Sequence, residues 1–160
     1  MLQRIIPNQA DNNYKGSPIA FYGMIPFFLL MIFSTYMHFL QPEFAAHQIA
    51  TIVVFEGEPD PNRIIYMLFS LWGAQQVAFC FVNAVVLYKY RNLIPMMYIL
   101  WIFIWAVRPV VINPLFGMAP EHTSGVTPGK VAVPYMILYL LIMLVPVSYT
   151  HLTLPPNREV

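Results

Sequence analysis

The residues best equipped for chemistry are few and lie near the ends of apolar stretches. His38, Glu43 and His47 follow one another closely, Asp60 and Arg63 are three apart, and Arg108 closes a row of Tyr98, Trp101 and Trp105 at steps of three or four. A guanidinium has five N–H donors and no acceptor. Beside a carboxylate it forms an ion pair, over an indole it makes a cation–π contact, and in a pocket wall it holds an anion. Glu43 is the expected partner of Arg108, Asp60 the second choice, with His38 close by. His38, Glu43, Asp60, Arg63, Trp105 and Arg108 are therefore the candidate binding pocket. The plainer reading is that Arg108 snorkels to headgroups or pins a loop, stacked on Trp105.

Catalytic signals are missing. No Ser/His/Asp or Cys/His pair can be argued from spacing, and no Gly-rich phosphate loop occurs. His38, His47 and His122 lack a recurrent ligand spacing, and the single Cys80 has no second thiol to pair with. No catalytic residue, metal or cofactor is assigned, and an enzyme is the less favoured reading.

A second set of residues points to packing rather than chemistry. Gly73, Gln76, Cys80 and Asn83 recur at steps of three and four and share one helix face, with Gln75 beside them. Small and amide-bearing residues on one stripe let helices approach closely in lipid and hydrogen-bond across the contact.

The elements that must position these groups are four apolar segments, at about 19–40, 64–87, 93–112 and 131–146. A helix of about 20 residues crosses the roughly 30 Å hydrocarbon layer of a bilayer. The chain is 59% hydrophobic and 9% charged, against about 25% charged residues in an ordinary soluble domain. These features predict an all-α, antiparallel four-helix transmembrane bundle whose first partner is the lipid bilayer. A net charge of +1 argues against nucleic acid as a partner, which would call for a basic patch. A homo-oligomer or a membrane-complex partner remains open.

Residues 1–18 read as a polar cytoplasmic lead-in. The first apolar segment is longer than the core of a signal peptide, and Ala45-Ala46 is the nearest approach to a cleavage pattern. A long outer loop, 41–63, joins the first two spans; residues 51–55 suit a short strand or a tucked segment. Asp60 followed by Pro61 suits a helix start, with Asp as cap. The five residues 88–92 make a basic, aromatic turn that predicts the second and third spans to be antiparallel neighbours. Pro109 and Pro114 are expected to break the third helix. Arg4, Lys15, Lys89 and Arg91 would share one side and Arg63 and Lys130 the other. The positive-inside rule then favours an inner-membrane protein with a cytoplasmic N terminus.

Two resemblances follow. The run 90–98 (YRNLIPMMY), with Arg108 ten residues on, an acidic Pro-rich first outer loop and DPNR at 60–63, resembles small uncharacterised bacterial four-helix membrane proteins of the broad DoxX-like group. That resemblance implies a bundle and a membrane location and little about activity. The segment 147–155 (VSYTHLTLP) resembles the translation of a sequencing-library adapter, so 147–160 is read as an artefactual tail and given no functional weight. The expected role is a structural or accessory membrane subunit. The alternatives are a small transporter or channel subunit that oligomerises through the Gly73 stripe, or a membrane enzyme with an outer-rim site.

Overall fold

In the computed structural model the chain is described over residues 5–149, with backbone alone at 148 and 149. Four helices are long and apolar enough to cross a membrane: α1 (Pro18–Leu40), α2 (Asn62–Lys89), α3 (Ile94–Val107, continuing as helical turns to Phe116) and α4 (Pro128–Tyr149). Large apolar side chains such as Leu29, Phe33, Leu71, Phe81, Phe103 and Leu138 lie exposed on the outer faces. In water that surface would be unfavourable; in lipid it is the expected exterior. The molecule is an all-α, multi-pass membrane bundle.

Each helix start follows from its sequence. Ser17 caps α1 by accepting the Ile19 N–H at 3.2 Å, and Pro18 follows in the first turn, where a missing N–H costs nothing. The regular bonding of α2 begins at Asn62, yet Asp60 Oδ1 accepts the Asn62 N–H at 2.9 Å, the bond an N-cap makes. α4 begins at Pro128, three residues before the expected 131, because the Thr127 carbonyl already accepts from Lys130 and Val131. It also runs through Pro146 to Tyr149, three residues past the expected 146. Val147 packs half-buried against the core. The rest of the proposed tail, 150–160, lies outside the described residues.

The third span departs from expectation in an informative way. Pro109 does not end it. The chain stays helical but widens into a π turn over Arg108–Ile112, with the Asn113 N–H reaching the Arg108 carbonyl, and then makes one more turn, Asn113–Phe116. Pro109 cannot donate to the carbonyl four residues back, and one extra residue in the turn absorbs that lost bond. The π turn begins at the arginine.

Packing also corrects the hairpin picture. α2 lies against α1, and α3 lies against α4, while α1 also touches α4; α2 and α3 make little direct contact despite the turn of residues 91–93 that joins them. Side-chain size explains this. α2 turns Gly73 toward α1, where the Phe39 and His38 backbones come close. Between α2 and α3 stand the bulky rings of Trp72, Phe79, Trp101 and Trp105. Two tyrosines, Tyr98 buried and Tyr139 half-buried, join the halves: Tyr98 donates to the Ala20 carbonyl and Tyr139 to the Gly23 carbonyl, each at 2.7 Å. Met24, Ile94, Met97 and Leu140 fill the centre and are wholly buried.

Both ends of the bundle are tied. At one, Asn92 in the α2–α3 turn accepts the Asp11 N–H at 3.0 Å and donates to the Gln9 carbonyl at 2.8 Å, holding the lead-in to that turn. Tyr14, whose phenol burial pushes up to about 12, donates to the Ser17 carbonyl at 3.1 Å. At the other end the two long loops clasp. Residues 51–55 form no strand; Ile52 makes an isolated antiparallel bridge with Thr123, flanked by Val53 N–H to His122 O at 3.1 Å and Ser124 N–H to Thr51 O at 2.8 Å. Thr51 holds φ at 55°, costly for a β-branched residue. Its hydroxyl donates to the Ala50 carbonyl at 2.8 Å and meets the Thr127 hydroxyl at 3.1 Å, which helps to retain it there.

Candidate functional site

The six candidate pocket residues do not form one group. The structure divides them between the α1–α2–α3 interior and the loop that starts α2.

The interior group centres on Trp72, a residue the sequence had not singled out. His38 is buried, and its ring meets Trp72 edge-on at 4.3 Å and stacks on Phe69 at 5.7 Å. Its Nδ1 lies 2.6 Å from the Ser34 carbonyl, one turn back. The guanidinium of Arg108 sits over the Trp72 ring at 4.9 Å and over Trp105 at 4.7 Å. α1, α2 and α3 each supply one part: the histidine, the shared indole, and the arginine with its own indole four residues earlier could not meet without the bundle.

The predicted ion pair is absent. Glu43 and Asp60 are both exposed, and among the described residues neither pairs with Arg108, whose contacts are the two rings. The reason is the π turn together with α2 packing on α1: Arg108 faces the α2 aromatics rather than the loop carboxylates. A membrane enzyme built on His38, Glu43 and Arg108 loses Glu43 in the same way.

Asp60 belongs to a separate cluster around the buried Asn62. Asn62 donates from Nδ2 to the Phe55 carbonyl and to Asp60 Oδ1, each at 2.7 Å, and accepts the Phe55 N–H at 3.0 Å. The Asn62 donors hold the Asp60 carboxyl below its ordinary range, helped by nearby Arg63. Arg63 itself is exposed. His47, outside the candidate set, has both ring nitrogens engaged at 2.8 Å, one with the Ile52 carbonyl and one with the Tyr66 hydroxyl. It is a loop clasp. No three His, Cys, Asp or Glu side chains among the described residues come together as a metal site.

The Gly73 stripe is occupied within the chain. A Cβ on Gly73 would lie 2.5 Å from the Phe39 nitrogen. Gln76 Oε1 accepts from Ser34 and Thr35 at 3.4 Å, and Thr35 Oγ1 also lies 3.3 Å from Cys80 Sγ. Asn83 is wholly buried with its amide unpaired. Gln75 lies outside this contact, exposed on α2.

A cavity of about 160 Å³ opens where α2 and α3 stand apart. Its wall includes Met31 and Ser34 of α1, Trp72, Gln75, Gln76 and Phe79 of α2, and Trp101, Ile104, Trp105 and Arg108 of α3. A larger depression of about 840 Å³ lies between the lead-in and the α2–α3 turn. Sequence reasoning found Arg108 and Trp105 from the aromatic row but missed Trp72, Phe69 and Asn62. The signal available for Trp72 was its place one turn before Gln76 and next to Gly73; nothing in the sequence showed that α3, not lipid, would lie across from it.

Fold and composition thus define the class, a multi-pass integral membrane protein of four spanning helices. No family model, curated protein or solved structure matches the chain.

Proposed function

We propose that the chain is an inner-membrane protein with its N terminus in the cytoplasm, acting as a structural or accessory subunit rather than as a conductor or a catalyst. The filled centre carries this reading. Met24, Ile94, Met97, Tyr98 and Leu140, all wholly buried, fill the core between α1, α3 and α4 toward the lead-in end, where a path through the bundle would have to open. Orientation rests on charge. The lead-in with Lys15 is bonded to the turn beside Lys89 and Arg91, whereas Arg63 and Lys130 start helices at the other end. The DoxX-like resemblance of residues 60–63 and 90–98 is consistent with such a bundle. The channel alternative is weakened because the Gly73, Gln76, Cys80 and Asn83 face is taken up by α1 and is not free to join copies.

The test is flux. Proteoliposomes carrying the purified protein, loaded with a pH dye and separately with a chloride dye, should leak no faster than empty liposomes under an imposed gradient. Saturable flux above that background overturns the accessory reading.

A further inference from the structure

We infer that the cavity between α2 and α3 is a binding site for an oxyanion, a carboxylate or a phosphate group, with Arg108 as its charge partner. The inference is independent of the accessory role. It rests on what the wall offers and what it lacks.

The buried side-chain polar atoms in that wall that lack a partner are all donors. Trp101 Nε1, Trp105 Nε1 and Gln76 Nε2 are buried and have no hydrogen-bond partner. The Arg108 guanidinium makes no hydrogen bond or ion pair with another described residue; its contacts are the faces of Trp72 and Trp105. Of the two amide oxygens in the wall, Gln76 Oε1 is already used by Ser34 and Thr35, and Gln75 is exposed on the outer surface of α2. Two indole N–H groups, an amide and a guanidinium therefore face a shortage of acceptors, with one net positive charge among them. Buried donors are normally paired, and an intramembrane ionisable side chain normally has a partner. Water relieves the shortage of acceptors but brings no charge. An oxyanion supplies both, and a guanidinium matches its geometry bidentately.

Size agrees. A volume of about 160 Å³ equals roughly five waters at about 30 Å³ each, room for a carboxylate or phosphate group but not for a large solute. Trp72, Phe79 and Gln75 at the cavity are exposed on the outer surface of α2. An amphiphile could thus place its headgroup at Arg108 and its chain along apolar α2 and α3. A free anion would use the same donors.

The readout is built in, because the chain has three tryptophans and all of them line the cavity. Intrinsic fluorescence of the protein in an uncharged maltoside detergent would be titrated in four arms: inorganic phosphate, acetate, dodecyl phosphate and dodecanol. A saturable change with dodecyl phosphate but not dodecanol, at least tenfold weaker in Arg108→Gln and partly kept in Arg108→Lys, supports the site with an amphiphile as its source. The same pattern with phosphate or acetate alone supports it with a soluble anion as the source. Trp105→Phe keeps the ring and removes one donor; it should weaken binding severalfold without changing the elution volume, and it serves where Arg108→Gln fails to fold. An equal response to dodecanol and dodecyl phosphate overturns the proposal. So does unchanged anion binding in both Arg108→Gln and Trp105→Phe, or no saturable response in any arm.

Discussion

The α1–α2 contact depends on one missing side chain, and adding back a single methyl at Gly73 measures it. A Cβ there would sit 2.5 Å from the Phe39 nitrogen, 2.6 Å from its Cα and 2.8 Å from the His38 carbonyl carbon. Relaxed carbon contacts lie at about 3.5–4.0 Å, so the helices must part by about 1 Å. All three neighbours are backbone atoms of α1, and no rotamer change can make room. Overpacking of this kind costs about 1–3 kcal/mol, and the displaced contact also carries the Gln76 bonds to Ser34 and Thr35. Alanine is a better helix former than glycine by about 0.8–1.0 kcal/mol, which offsets part of the loss. Gly73→Ala should therefore be less stable by about 1 kcal/mol and Gly73→Val by more. Gly129 in α4 is the control, since a Cβ there meets nothing nearer than 3.9 Å; with no clash to offset the gain in helix propensity, Gly129→Ala should be at least as stable as the parent. The assay is the folded fraction against SDS in mixed micelles. Gly73→Ala proving as stable as the parent would refute the close approach.

Four further outcomes are expected. Asn92→Ala removes both side-chain bonds to the lead-in, so trypsin should cut after Lys15 faster while the bundle's melting temperature changes little; an unchanged cutting rate contradicts the tether. Tyr66→Phe takes the hydroxyl from His47 Nε2 and should lower the melting temperature by a few degrees, the scale of one lost hydrogen bond; no shift would show the clasp to be idle. Asp60 has a folded-state pKa below its ordinary value, so its stabilising effect is present above about pH 4 and fades as pH falls through the folded value. The melting-temperature gap between the parent and Asp60→Ala should accordingly be constant from pH 7 to 5 and narrow toward pH 3; a gap that widens on acidification reverses the sign. For topology, in a Cys80→Ser background, an impermeant thiol reagent added outside should label Gly125→Cys and not Tyr88→Cys, both exposed positions; the opposite pattern inverts the proposed orientation.

The four spans were legible in the sequence because membrane insertion is decided by local composition. Any run of about 20 apolar residues must hydrogen-bond its own backbone in lipid, and a helix does so without help from the rest of the chain. The start signal of α2 was equally readable: Asp60 bonds the Asn62 N–H as a cap should. The small-residue stripe on α2 could be seen as a packing face, though not which helix would lie on it.

Tertiary structure alone decided the neighbours, and through them the site. A short turn brings α2 and α3 together at one end but does not make them pack, since Gly73 lets α2 approach α1 while Trp72, Phe79, Trp101 and Trp105 hold α3 away. By sequence, Arg108 had two carboxylates to pair with, Glu43 and Asp60, and His38 close by. The π turn at Pro109 and the separation of α2 from α3 set it over two indoles instead. Side-chain type and spacing along one helix report which face a residue is on; they carry no information about what crosses that face from a different helix, because that depends on the summed packing of the whole bundle.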